Sequence, residues 1–152
     1  MEKFTLKQIG VIRTPYAEAA AAPPQGKFEA EVAGTVEVFD EYAPGLQDIE
    51  GFSHITLLYY FHKAASGGLV VKPYLDDARH GVFATRHPGR PNHLGMTTVR
   101  LVERRGNVLA VAGVDMLDGT PLLDVKPYVS EFDLVRGNVR CGWLAGKIPP
   151  IP

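Results

Sequence analysis

The chain has 152 residues and a mass of 16.6 kDa, room for one domain. Apolar residues at 45% and charged residues at 22% exclude disordered, collagen-like and low-complexity classes. No window approaches the roughly 18 apolar residues of a membrane span, and no apolar signal core follows Met1-Glu2-Lys3-Phe4, so the protein is expected to be soluble and cytoplasmic. A single cysteine, Cys141, excludes an internal disulfide and any multi-cysteine metal centre within one chain.

Lys7 to Arg13 reads as a short strand that stops at Thr14-Pro15. Ala17 to Ala22 is helix-permissive, but Pro23-Pro24 closes it at once, and the segment is expected to be a loop. Val32 to Phe39 marks a second strand, and Ala43 to Ile49 a helical turn ended by Gly51. His54 to His62 is nearly continuously apolar, β-branched or aromatic, which predicts a central strand covered on both faces. Gly81 to Thr85 reads as a short strand entering the loop Arg86 to Gly95. Thr97 to Glu103 and Val108 to Val114 form a hairpin through Arg104-Arg105-Gly106-Asn107. Asp118-Gly119-Thr120-Pro121 is a turn, and Leu122 to Tyr128 a strand interrupted by Pro127. Six or so short strands without a long helix predict an all-β fold, one small closed or partly open β-barrel with short helical turns. The barrel is expected over residues 1–133 and a tail over 134–152.

The sixteen glycines and twelve prolines make about 18% of the chain, above the usual 12% or so, and many fall in the proposed loops. The net charge of -1 conceals a segregation. Seven acids and no Lys or Arg lie between Phe28 and Glu50, whereas six arginines and one acid, Glu103, lie between Arg79 and Arg105. A local basic stretch suits a phosphate backbone even where the total charge is near zero. For Arg86 and Arg90 of the loop within that stretch, the competing reading is that they pair with the acidic segment, within one chain or between subunits.

No G-x-G-x-x-G follows a strand and no G-x-x-x-x-G-K-[ST] occurs, so neither dinucleotide nor P-loop chemistry has a signature. His80, His87 and His93 lack neighbouring cysteine or carboxylate ligands at metal-site spacing, and no metal is expected. Ser53 and His54 are adjacent, and alternation along a strand would point them to opposite faces. Cys141 is expected to be a buried or interfacial cysteine. The loop from Ala84 to Gly95 gathers Arg86, Arg90 and Asn92 on a proline-stiffened backbone, a costly connector and a reasonable ligand site. In Asp118 to Asp124, glycine admits a ligand to the main chain and Asp118 offers an acceptor, although composition alone describes an ordinary turn.

Taken together, GVFATRHPGRPNHLG (Gly81 to Gly95) and DMLDGTPLLDVKPY (Asp115 to Tyr128) closely resemble signatures of the TrmO family, also called YaeB or TsaA-like. IGVIRTPY (Ile9 to Tyr16), PPQG (Pro23 to Gly26) and GFSHITLLYYFH (Gly51 to His62) match in the same order, so the resemblance covers Gln8 to Asp133. It implies a small β-barrel that binds S-adenosyl-L-methionine and works as a homodimer with sites near the subunit interface. The implied activity is methylation of N6 of N6-threonylcarbamoyladenosine beside the anticodon of tRNA.

Carried over by motif, the resemblance puts the cofactor against Pro23, Pro24 and Gln25, Phe61 and His62, Arg86, Met96, and Asp118, Gly119, Thr120 and Pro121. Arg90, Asn92, Lys126 and Tyr128 match motif positions whose roles the resemblance leaves undivided between cofactor and RNA. Arg79, Arg100, Arg104 and Arg105 are further candidates for the RNA backbone. No catalytic base is assigned. Where the family pattern is Asn-Pro-Ile-Gly, this chain has Asn92-His93-Leu94-Gly95, which removes a rigid proline and adds a titratable ring. That departure keeps two other readings open: a methyltransferase acting on another RNA or a small molecule, and a barrel that binds the cofactor without transfer.

Overall fold

A computed structural model describes residues 1–18, 21–25 and 30–149. Gly26 of the PPQG motif, Phe28 and Glu29 of the acidic segment, and residues 150–152 of the terminus lie outside them. Six antiparallel strands close into a barrel: β1 (Gly10–Arg13), β2 (Ala33–Val38), β3 (His54–Tyr60), β6 (Leu94–Arg105), β7 (Val108–Ala112) and β8 (Thr120–Pro127). Their order around the barrel is β1-β2-β7-β6-β3-β8. β4 (Val70–Val71) and β5 (His80–Gly81) form a separate two-stranded sheet in the long connection between β3 and β6.

Alternation sets the core. Ile12 of β1, Val36 and Val38 of β2, Ile55 and Leu57 of β3, Val99 of β6, Leu109 and Val111 of β7 and Leu122 of β8 point inward and are almost wholly buried. The β6–β7 hairpin turns through Gly106 and Asn107, where Gly106 has φ of 61° and supplies the left-handed residue of a tight turn. Gly119 plays the same part ahead of β8, with φ of 79°.

Several local expectations are corrected. β1 begins at Gly10, three residues later than expected, where the ladder register with Val38 and Leu122 starts. Ile9 just before it already donates to the Leu122 carbonyl at 2.9 Å and accepts from the Phe39 N–H at 2.8 Å, while Lys7 and Gln8 stay outside the sheet. The turn before β3 starts at Asp40 and divides into 3-10 segments Asp40–Leu46 and Ile49–Gly51, broken by Asp48 in the left-handed region. Val82–Ala84 is a 3-10 turn rather than strand, leaving only His80–Gly81 paired. β6 runs back to Leu94, because β3 supplies partners up to Tyr60 and draws the end of the predicted loop into the sheet. β3 is central in pairing, between β6 and β8, but it is not covered on both faces: Ile55, Leu57 and Tyr59 are buried while His54, Thr56 and Leu58 are half-buried. The outward face is partly open because it helps form the floor of a cleft.

Ser53 also departs from expectation. It precedes β3, so strand alternation does not apply to it, and its Oγ is hydrogen-bonded to His54 Nδ1 at 2.8 Å on the exposed surface. Cys141 is exposed rather than buried.

The C-terminal segment folds back onto the β4–β5 region. Trp143 donates from Nε1 to the Ala84 carbonyl at 2.8 Å and stacks on His80, with ring centroids 4.3 Å apart and planes at 14°. Lys147 pairs with Asp76 at 2.7 Å, and Asp76 also accepts from His80 Nε2 at 2.7 Å. Lys147 is the main cause, with His80 next, that holds the Asp76 carboxyl far below its ordinary value.

Candidate functional site: a two-lobed cleft on the barrel wall

The cleft floor is made from outward-facing residues of three neighbouring strands. Thr56 and Leu58 of β3 lie opposite Thr98 and Met96 of β6, and Lys126 of β8 lies opposite Thr56 on the other side. The Thr56 and Thr98 hydroxyls are hydrogen-bonded at 2.9 Å, which joins the two strands across the floor. Above this floor stand the 84–95 loop, Pro24 and Gln25, the 73–75 segment and the C-terminal segment.

Two lobes open over the floor. The narrower has a volume of about 440 Å³ and includes Gln25, Phe61, Phe83, Arg86, Arg90 and Asn92 in its wall. The wider has a volume of about 1040 Å³, and Tyr74, His87, Lys126, Tyr128, Asp133 and Trp143 are among its lining residues. Gln25, Leu58, Thr85, Arg86 and Met96 belong to both. Arg86 therefore sits at the junction, and its guanidinium donates to Gln25 Oε1 at 2.6 Å.

The loop that carries Arg86 is braced by its own polar groups. Thr85 Oγ1 donates to the Val82 carbonyl at 2.8 Å and accepts from the His87 N–H at 3.1 Å. Arg90 donates to the Thr85 carbonyl at 2.9 Å, folding the loop back on itself. His93, the departure from the family pattern, donates from Nδ1 to the Pro88 carbonyl at 2.8 Å and meets the Tyr60 ring edge-on. A hydrogen bond thus ties the loop where the family pattern has proline.

Burial, and after it the Arg90 charge, lowers the pKa of His87 and favours the neutral ring. Its Nδ1 accepts from the Gly89 N–H at 3.0 Å, so the proton of the neutral ring resides on Nε2 and the ring has no free lone pair with which to act as a base. Asp133 is the carboxylate that lines the wider lobe; its Oδ2 accepts from the Val129 N–H at 2.8 Å.

Behind the floor lies a polar network within the barrel. Thr97 donates to Asp115 Oδ1 at 2.6 Å, and the Tyr59 hydroxyl lies 2.9 Å from Thr97 Oγ1 and 3.3 Å from Asp115 Oδ1. Tyr59 and Thr97 are each 3% exposed, and Asp115 is 8% exposed. Burial, followed by the Asp115 charge, raises the Tyr59 phenol far above its ordinary value, so it remains a donor. Room for the Tyr59 ring depends on Gly95, where any Cβ would collide with that ring and with Phe61. Asp115 opens the DMLDGTPLLDVKPY motif. Its flanking Val114 and Met116 were the available sign that this carboxylate is buried.

Of the expected cofactor residues, Pro24, Gln25, Phe61, Arg86 and Met96 line the cleft, and so do Arg90, Asn92, Lys126 and Tyr128. Pro23, His62 and the turn Asp118–Pro121 line neither lobe. In that turn Asp118 Oδ1 accepts from the Thr14 N–H at 3.1 Å and Thr120 Oγ1 donates to the Leu117 carbonyl at 2.6 Å. The four backbone arginines also lie outside. Arg100 pairs with Glu31 at 3.0 Å and Arg104 with Glu50 at 2.9 Å, so ion pairs to the acidic segment are made by arginines outside the loop, whereas the loop's Arg86 and Arg90 bond to Gln25 and Thr85. Arg105 pairs with Glu103 at 3.0 Å, and Arg79 donates to the Val70 carbonyl at 2.7 Å.

The residues present fit a sulfonium nucleoside cofactor. Two guanidiniums answer a carboxylate, the Gln25 and Asn92 amides answer the donors and acceptors of a base or an amino acid, and Phe61, Phe83 and Leu94 supply apolar wall. Fold and cleft together define a small antiparallel barrel with a two-lobed cavity on its outer wall, where an arginine joins the two lobes.

The chain matches the family model described as "tRNA-methyltransferase O N-terminal domain" over residues 11–134, and it belongs to that family. A probable S-adenosyl-L-methionine-binding protein of Pyrococcus abyssi is 57% identical over 142 residues, covering 93% of this chain and 77% of that protein. The tRNA (adenine(37)-N6)-methyltransferase of Escherichia coli is 40% identical over 139 residues, covering 85% of this chain and 59% of its own length. The crystal structure of TrmO from Pseudomonas aeruginosa superposes with a TM-score of 0.78 at 35% identity, over 93% of this chain and 63% of the solved one. The chain thus spans less than two thirds of that enzyme and of that solved structure. Among the described residues no helix is long and apolar enough to cross a membrane.

Proposed function

We propose that this protein is an S-adenosyl-L-methionine-dependent methyltransferase acting on tRNA, with N6 of N6-threonylcarbamoyladenosine beside the anticodon as its acceptor. The observation that carries the reading is the pair of lobes meeting at Arg86, in a chain of this family. In it the narrower lobe takes the cofactor and the wider lobe takes the acceptor nucleoside. When bound, the cofactor supplies a methyl group on a positively charged sulfur, an electrophile strong enough that alignment and exclusion of water do most of the work.

The residues divide the task accordingly. Arg86 and Arg90 meet the cofactor's carboxylate, and Gln25 and Asn92 orient its polar edges. Phe61 and Met96 keep water from the junction between the lobes, while Lys126 and Tyr128 face the acceptor. Pro24 closes the cleft beside Gln25. We assign Pro23, His62 and the turn Asp118–Pro121, which lie outside both lobes, to the edge of the site in a homodimer, where a second copy approaches it.

The test has two stages. Calorimetry with S-adenosyl-L-methionine is expected to show saturable binding, and no heat at millimolar ligand would end the reading. Labelled cofactor incubated with total tRNA, followed by digestion to nucleosides, is expected to place label in the threonylcarbamoyl nucleoside. Label in another nucleoside or in a small molecule would move the acceptor. Tight binding without transfer would make the protein a cofactor-binding barrel.

A further inference from the structure

The chain has nine arginines, and the structure divides them sharply. Arg13, Arg79, Arg86, Arg90, Arg100, Arg104 and Arg105 each have an acidic, amide or carbonyl partner within the chain. Of the nine, only Arg136 and Arg140 have no ion pair or side-chain hydrogen bond to the described residues, and both are exposed. Their position is specific. Leu134 and Cys141, which bracket them in sequence, both line the wider lobe, so the intervening run is anchored at its two ends on the rim of that lobe.

Charge points the same way. Residues 134–152 carry Arg136, Arg140 and Lys147 and no Asp or Glu, and Lys147 is held by Asp76. The segment is held against the barrel beyond this run by Trp143, which bonds to Ala84 and stacks on His80. A guanidinium already paired with a carboxylate must give up that partner to meet a phosphate, which removes most of the gain. An unpaired, solvated guanidinium on the rim of an acceptor lobe gives up only water and counterions.

We infer that Arg136 and Arg140 form the phosphate-contacting rim of the acceptor lobe, so that the RNA backbone crosses the C-terminal segment and not the Arg100 to Arg105 hairpin. This rests on the proposed tRNA substrate. It places a functional contact outside residues 11–134, in a segment that would otherwise pass for a tail. The exposed Val135 and Val139 beside the arginines, with Phe132 and Leu134 just before them, also suit a protein partner.

The experiment uses the full chain with total tRNA, its affinity measured across a range of salt, alongside S-adenosyl-L-methionine calorimetry and sedimentation. For Arg136→Ala with Arg140→Ala, tRNA affinity is expected to fall about tenfold and the salt slope to shrink by about 1.5, two phosphate contacts' worth, with cofactor affinity unchanged. The Arg136→Lys, Arg140→Lys variant keeps the charge and is expected to keep the slope. Wild-type affinity and slope in the double-alanine variant would overturn the inference while leaving the tRNA reading intact. Unchanged tRNA affinity with an altered sedimentation coefficient would overturn it in favour of a protein interface. No tRNA affinity in the wild type would overturn both.

Discussion

The Arg86 guanidinium donates to the Gln25 side-chain carbonyl at 2.6 Å across 61 residues of sequence, and both side chains line both lobes of the cleft. Neither is held by the barrel itself; each comes from a loop, and the contact joins the two loops over the floor. Replacing Arg86 removes both that brace and the positive charge at the junction. A hydrogen bond to a charged group contributes about 1.5 to 3 kcal/mol, so Arg86→Ala is expected to weaken cofactor binding at least tenfold by calorimetry. Arg86→Lys keeps the charge but loses the planar fork and is expected to recover only part of the affinity. Wild-type affinity in the alanine variant would remove Arg86 from the site.

Gly95 lies so close to Tyr59 that no side chain fits between them. Its neighbour in the same contact is Phe61, itself part of the narrower lobe. Overpacking of this kind costs about 1 to 3 kcal/mol, and Gly95→Ala is expected to lower the urea midpoint accordingly. Because the displaced rings border the narrower lobe, cofactor affinity is expected to fall with it. An unchanged midpoint would mean that the rings move aside freely.

Thr97 is one donor to the buried Asp115 carboxylate, at 2.6 Å, beside the Tyr59 hydroxyl at 3.3 Å. Thr97→Val preserves shape and removes that donor, leaving Asp115 and the Tyr59 hydroxyl each short of a contact. A loss of about 1 to 3 kcal/mol in unfolding free energy is expected. Thr56→Val, which breaks the half-buried pair with Thr98 on the cleft floor, is expected to cost less, since water reaches those hydroxyls. Equal losses at the two positions would show that burial does not set the cost.

Trp143 is the only tryptophan, so its emission reports directly on the attachment of the C-terminal segment. Asp76 is the carboxylate of that attachment, and Lys147 first and His80 second depress its pKa in the folded state. A depressed carboxyl stabilises the folded form above its unfolded value, about 3.9, and loses that contribution as pH falls toward the folded one. Loss of the Asp76 contribution is therefore expected below about pH 4, where the Trp143 emission is expected to shift as the segment detaches. Lys147→Met removes the largest cause, and the shift is expected to begin at higher pH. An emission profile identical in the two proteins would separate Lys147 from the latch.

How much of this was legible in the chain depended on the range of the interactions involved. The strands of the barrel were readable because alternation is a local property. Ile55, Leu57 and Tyr59 announce an inward face whatever lies beyond them. What alternation could not show was the fate of the other face of β3, since the half-burial of Thr56 and Leu58 is imposed by loops more than ten residues away. The Ser53 to His54 contact escapes strand alternation because Ser53 stands one residue before the strand begins.

The arginines show the same limit from the other side. Their clustering between Arg79 and Arg105 was visible as composition, and a charged stretch was a fair place to look for a polyanion. Pairing decided otherwise for Arg100 and Arg104, whose partners Glu31 and Glu50 stand 69 and 54 residues away. Trp143 likewise had no sequence signal as a cleft residue, because its anchors, Ala84 and His80, lie some sixty residues upstream.

Local sequence thus encodes the kind of molecule: a small all-β domain with stiff loops rich in glycine and proline, carrying the ordered motifs of its family. These are encoded in neighbouring residues, through side-chain period, turn preference and motif order. Only the tertiary structure decided which motif residues share a cavity, which arginines are already spent on carboxylates, and that the C-terminal segment returns to wall the cleft. Those outcomes depend on barrel closure, which brings strands and loops far apart in the chain to within a hydrogen bond of one another.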